Sequence, residues 1–172
     1  MSDVDDLWLR PLRPEDEAEA TRAHEELARE GWTFLLDRDR VDTWPAYLRL
    51  LEQQRLGRDP RPDRVASSFL VADVRGALVG RVSIRHQLNG FLEHEGGHIG
   101  YGVRPHHRRR GYARRMLELA CAYLIDVGER PVLVTCDDDN ATSRAVIEDC
   151  GGQLEDVRTR ANGIPVRRYW IG

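Results

Sequence analysis

Residues 108–113, RRRGYA, place three guanidinium groups and a glycine at the head of an amphipathic run. A helix that starts for structural reasons alone usually opens with Ser, Thr, Asp or Asn, whose side chain caps the first free amides. None stands here. Free amides at a helix start, with cations beside them, make a site for an anion. Gly111 adds backbone conformations closed to other residues, so the chain can approach a ligand closely. The forked donors of Arg108, Arg109 and Arg110 suit phosphate. Other residue types carry less. His94, His98, His106 and His107 have spacings that fit no standard ligand set, and two of them adjoin a run that repels cations, so no metal is expected. Asp137 to Asp139 read as a solvated loop leading into a helix. Cys121, Cys136 and Cys150 are odd in number and lack a CxxC spacing, which points to free thiols in a reducing compartment.

The elements that position the basic motif follow from periodicity. LWLRPL (7–12) reads as a strand, 14–31 as a helix ended by Gly31, and 43–57 as a helix capped by Thr43. VASSFLVADV and LVGRVSIRHQL form a hairpin through the turn residues RGA. Residues 89–97 read as a loop, and HIGYGV as a strand entering the basic motif. A helix spans 110–127, with Met116, Leu117, Ala120 and Leu124 on one face. PVLVTC is a buried-type strand, and a short helix follows from Asn140 to the glycines at 151–152. The chain ends in a hairpin turning at Asn162 and Gly163. The order β-α-α-β-β-β-α-β-α-β-β predicts a mixed α/β fold, one domain over 1–172.

Composition bounds the partners. At 172 residues, 41% apolar and 32% charged, the chain is an ordinary globular domain. Its net charge of −3 argues against a nucleic-acid binder. No apolar run approaches the roughly 20 residues of a membrane span, and the acidic start lacks a signal-peptide stretch, so a cytoplasmic protein is expected. All 26 basic residues are arginine.

In this order of elements, VRPHHRRRGYA resembles the Arg/Gln-x-x-Gly-x-Gly/Ala signature of the GNAT superfamily of N-acetyltransferases, at Arg108, Gly111 and Ala113. DNATSRAVIEDCGG is similar to that family's later Asn-x-x-Ser helix, at Asn140 and Ser143, and RRYWI suits its closing strand. The resemblance covers nearly the whole chain. It implies a mostly antiparallel sheet splayed between its fourth and fifth strands, with helices on both faces. It also implies acetyl-coenzyme A as cosubstrate, with the diphosphate wrapped by amides from Arg109 through Tyr112 to Ala113. The pantetheine arm would lie along Gly102, Val103 and Arg104, and Gly100 and Gly102 would leave room for a ligand.

The reaction so implied is direct attack of an amine on the thioester, the carbonyl polarised by a backbone amide such as that of Val103. Glu93, His94, Glu95 and His98 are the candidate bases, with Glu95 and His98 in front. The family's usual tyrosine, seven residues after the asparagine, is here Ile147; Tyr169, Tyr101 or solvent would then supply the proton. Cys136 could lie near the thioester, although a buried small hydrophobe explains it as well. Trp32 and Phe34 could shape the acceptor pocket or merely pack. A small amine or amino acid is the expected acceptor, and a homodimer is compatible with the sequence. An acyl-coenzyme A sensor without turnover is the rival reading.

Overall fold

The computed structural model describes residues 3–172. Seven strands form one sheet in the order β1-β2-β3-β4-β5-β7-β6. They are β1 (Leu7–Arg10), β2 (Ser67–Val74), β3 (Ala77–Arg85), β4 (Ile99–Val103), β5 (Val132–Asp137), β6 (Gln153–Thr159) and β7 (Pro165–Ile171). Every neighbouring pair is antiparallel except β4 and β5, which run parallel and pair only at Ile99 and Val134. Past that single pairing the two strands part, as the resemblance implied. The helices are α1 (Glu17–Ala28), α2 (Trp44–Arg55), α3 (Tyr112–Asp126) and α4 (Ala141–Asp149).

Each face of the sheet has its own apolar cluster. Leu27, Phe34, Tyr47, Leu51 and Phe69 pack beneath α1 and α2. Met116, Leu117, Leu124, Val134 and Ile147 pack beneath α3 and α4. This division follows from the helical periodicity of apolar side chains, which gives each helix one face to bury.

Two local features differ from the sequence expectation. Residues 14–16 form a 3-10 turn and α1 begins only at Glu17. The reason is Asp16, whose carboxylate accepts from the Arg13 amide at 2.7 Å and from the Arg10 guanidinium at 2.6 and 2.9 Å. Arg10 also donates to Asp73 at 2.7 Å, so a buried cation ties β1 to β2 and to the entry of α1. Second, residues 92–96, expected as loop, coil into a π-helical turn. Gly97 closes it by donating to the Leu92 carbonyl at 2.6 Å. A Cβ on Gly96 would stand 2.6 Å from the tip of the Leu92 side chain, which would have to shift to admit it. The expected β2–β3 hairpin is present, with Arg75 and Gly76 both at positive φ, 52° and 90°, which matches the strand twist.

Candidate functional site

The gap between β4 and β5 opens into a cavity of about 730 Å3, lined by Trp32, Tyr101, Gly102, Val103, Arg109, Gly111, Tyr112, Ala113, Asn140 and Ser143 among others. The ladder phase shows what β4 offers it. The Arg85 amide donates to the His98 carbonyl and the Arg104 amide to the Val79 carbonyl. With β3 and β4 in register between these bonds, the alternation of an antiparallel ladder turns the backbone groups of Tyr101 and Val103 toward the gap. The Val103 carbonyl is taken by Arg108 Nε at 3.1 Å, which leaves its amide for a ligand.

At the mouth, Arg109 and Gly111 both have positive φ, 62° and 82°. Such alternation turns successive amides inward into an anion-binding nest. Gly111 is the N-cap of α3 and supplies no side-chain cap, and the first amide bonded back into the helix is that of Arg115. The amides of Tyr112, Ala113 and Arg114 are therefore the uncapped first turn of a 15-residue helix. Arg109 and Arg110 are exposed with no carboxylate partner among the described residues. Across the cleft, Asn140 caps α4 by accepting from the Ser143 amide at 3.0 Å. The site expected from the basic motif is thus assembled from β4, α3 and α4.

Several expected roles are corrected by what the side chains do. Arg104 turns away from the cleft: its guanidinium binds Glu26 at 2.8 and 2.9 Å and Glu19 at 3.0 Å, and its amide is already paired. Arg108 is likewise engaged, donating to Glu30 at 2.5 and 3.2 Å while holding the Val103 carbonyl. It braces the cleft against α1 where a free phosphate ligand was expected. The space above Gly102 is filled by Trp32, whose ring would lie 2.5 Å from a Cβ there, and that above Gly100 by Arg85 at 3.3 Å. The two glycines make room for protein side chains. Phe34 is fully buried, edge-on to Phe69, as core packing requires.

The candidate bases lie outside the cavities. His98 is almost fully buried; its Nδ1 accepts from the Leu133 amide at 2.9 Å and its own amide donates to the Leu133 carbonyl at 2.8 Å. It stitches β4 to β5 at the closed end of the gap. Burial lowers its pKa in spite of Glu129, 3.6 Å from Nε2. Glu95 sits in the π-turn with its carboxylate 3.4 Å from Arg160, which also binds Asp137. Neither residue faces the gap between β4 and β5.

The tyrosines also sort themselves. Tyr169 is buried under α4 and donates to Glu148 at 3.0 Å, which removes it as a proton source for the cleft. Tyr101 does line the cleft. Burial pushes its hydroxyl up to about 12, with Ser143 beside it drawing the other way. No well-formed hydrogen bond satisfies that hydroxyl among the described residues. Ile147 is fully buried in the core, whereas Val146 faces the cleft. A tyrosine at 147 would point away from the site. Cys136 is buried, and that burial pushes its thiol up to about 11, so it stays protonated.

A second cavity, about 620 Å3, opens on the α1–α2 face, floored by Ser67, Phe69, Ser83 and Arg85. Its rim is a charge network: Arg61 binds Asp37 at 2.8 Å and Asp59 at 2.6 Å. The sequence reading missed this pocket. The signal was present in RVSIR, where Arg81, Ser83 and Arg85 alternate with Val82 and Ile84 and so mark one polar face of an otherwise apolar strand.

Among solved structures the chain is similar to Mycobacterium smegmatis RimJ in complex with a CoA-disulfide, at TM-score 0.72 and 21% identity over 96% of this chain and 81% of that one. It is similar to yncA, a putative acetyltransferase from Salmonella typhimurium with acetyl-CoA, at TM-score 0.65 and 15% identity over 96% and 93%. A third neighbour is RimL, a ribosomal L7/L12 alpha-N-protein acetyltransferase in complex with coenzyme A, at TM-score 0.67 and 17% identity over 96% and 93%. At these identities the likeness shows the fold. No curated protein sequence matches the chain significantly. The family model described as an acetyltransferase (GNAT) domain matches residues 6–153, most of the chain, from β1 through α4, so the protein belongs to the GNAT acetyltransferase family.

Proposed function

We propose that this protein transfers the acetyl group of acetyl-coenzyme A to the primary amine of a small molecule or amino acid, by direct attack in a ternary complex. The observation that carries the reading is the nest at Arg109–Ala113 leading straight into the gap beside β4. A diphosphate fits it, because uncapped amides and two unpaired guanidinium groups converge at one helix start. From there a pantetheine arm has the free backbone edge of β4 to pair with, as an added strand would.

The residues then have separable tasks. The Val103 amide polarises the acetyl carbonyl. Tyr101, held protonated by burial, is placed to return a proton to the departing thiolate. The amine loses its proton to water in the acceptor pocket, since Glu95 and His98 are committed elsewhere. No side-chain nucleophile is required. The rival reading, a sensor without turnover, drew its support from the missing tyrosine at 147; that position faces the core and gives it none.

Titration calorimetry with acetyl-coenzyme A, alongside thiol release over an amine panel, tests the proposal. Gly111→Val places a β-branched residue at φ 82° and closes the nest, so donor affinity falls by at least about tenfold. Unchanged affinity would remove the nest as the donor site. Tight binding with no release on any amine would leave a sensor.

A further inference from the structure

Arg85 is the buried-side cation that the fold leaves without a counter-charge. It ends β3 at the floor of the 620 Å3 pocket. One nitrogen reaches the Gly96 carbonyl only at 3.5 Å, and no carboxylate pairs with it among the described residues. The contrast with its surroundings is sharp. Arg61 has two carboxylates, Asp37 has two arginines within 4 Å, and Arg10 and Arg104 have two acids each. Arg81, four residues back on the same face, is satisfied by the Phe34 and Thr33 carbonyls at 3.1 and 2.7 Å and stacks 4.0 Å above Trp32. Arg85 alone in this region keeps its donors free.

Its position gives those donors a use. The guanidinium lies against Gly100, the β4 neighbour of Tyr101, which lines the donor cleft. An acceptor amine must reach the same place to attack. An anionic group held by Arg85 therefore belongs to the carbon bearing the amine or to its neighbour. The pocket offers an apolar side chain Leu36, Val65, Phe69, Phe91 and Leu92, while its Asp37 and Asp59 are already paired with Arg61.

We propose that Arg85 receives the carboxylate of the acceptor in a bidentate pair, which makes the acceptor a free α-amino acid with an apolar side chain. The inference rests on the acetyl-transfer reading and narrows it. A forked guanidinium matches a carboxylate in plane and charge, and a half-buried cation with no ionic partner among the described residues gains from such a pair. Burial, then the neighbouring Arg64, lowers Arg85 to about 10, and burial and Arg85 lower Arg81 to about 9; an incoming anion relieves both. A protein N-terminus, the acceptor in RimL's own description, carries no carboxylate next to its amine.

The test compares phenylalanine, leucine and methionine with their amides and their decarboxylated amines, on the wild-type protein saturated with acetyl-coenzyme A. Thiol release gives kcat/KM, and calorimetry with coenzyme A bound gives acceptor affinity apart from turnover. The free acids are expected to exceed both neutral analogues by about 10- to 100-fold, in line with loss of a charge-assisted pair. Arg85→Gln should erase that preference while leaving acetyl-coenzyme A affinity intact, and Arg85→Lys should restore part of it. Equal rates for acids, amides and amines would overturn the Arg85 inference and leave acetyl transfer standing. Carboxylate-dependent binding without turnover would uphold Arg85 and sink the transfer reading. Failure of all three acids to bind overturns the inference outright.

Discussion

At the scale of single residues, the chemistry rests on which polar groups remain uncommitted. Tyr101 has a hydroxyl in the cleft with no satisfied hydrogen bond, whereas the Tyr169 hydroxyl donates its hydrogen bond to Glu148. Tyr101→Phe should therefore lower turnover roughly 10²-fold with donor affinity retained, while Tyr169→Phe stays near wild type in steady-state assays. Equal turnover in wild type and Tyr101→Phe would assign the proton to water. Glu95→Gln should leave the acidic limb of the pH–rate profile where it is, because that carboxylate is paired with Arg160 outside the gap; loss of the limb would restore Glu95 as the base. The nest was legible in the sequence, since an uncapped helix start with a glycine and arginines has few other uses. The fates of Arg104, Arg108 and His98 were not. Each is fixed by partners far away in sequence, at Glu26, Glu30 and Leu133, and local spacing carries no record of them.

At the scale of elements, β4 does two jobs through two glycines. Every strand and helix core was readable from periodicity, and the order of elements came through intact. What periodicity could not supply was occupancy. Alternation put Gly100 and Gly102 on one face, yet only the packed structure shows Arg85 and Trp32 filling the space they vacate. The glycines should thus be separable by substitution. Gly102→Ala drives a methyl to within 2.5 Å of the Trp32 ring and unseats it from Arg81, so acetyl-coenzyme A affinity should fall about tenfold, ~1.4 kcal/mol, by calorimetry. Gly100→Ala meets only the tip of a flexible arginine at 3.3 Å. Donor affinity should survive there and acceptor KM should rise. The same effect on both parameters from either change would mean the face is not divided in this way.

At the scale of the whole molecule, carboxylates held by arginine tie distant parts of the chain together. Burial raises the Asp16 pKa, but the Arg10 hydrogen bond and the Arg13 amide outweigh it and leave the carboxyl below its ordinary range. The hydrogen bond from Arg61 holds Asp59 far below that range, against its own burial. A depressed folded pKa means stability that is complete above the unfolded value and lost as pH falls toward the folded one. The melting temperature should therefore be flat near neutrality and drop steadily below about pH 4, where unfolded aspartates titrate. Asp59→Asn should lower the plateau and shallow the drop, read by thermal scans across pH. A drop of undiminished steepness would show that the Asp37–Arg61–Asp59 rim contributes nothing to acid sensitivity. Arg10→Ala should cost more, about 3–5 kcal/mol in denaturant melts, because it strands two buried carboxylates without a cation.

The two cavities share no lining residue: one is bounded by α2, β2 and β3, the other by β4 and the first turns of α3 and α4. Neither ligand has to pass through the other's chamber to arrive or to leave. Initial-rate plots against one substrate at fixed levels of the other should accordingly intersect, and product inhibition should show that either partner can dock first. Parallel lines would demand a covalent acetyl-enzyme. A conjugate of coenzyme A joined through its sulfur to the nitrogen of an amino acid would thread both chambers at once. It should bind more tightly than either half, with the link lying between Gly100 and Gly102.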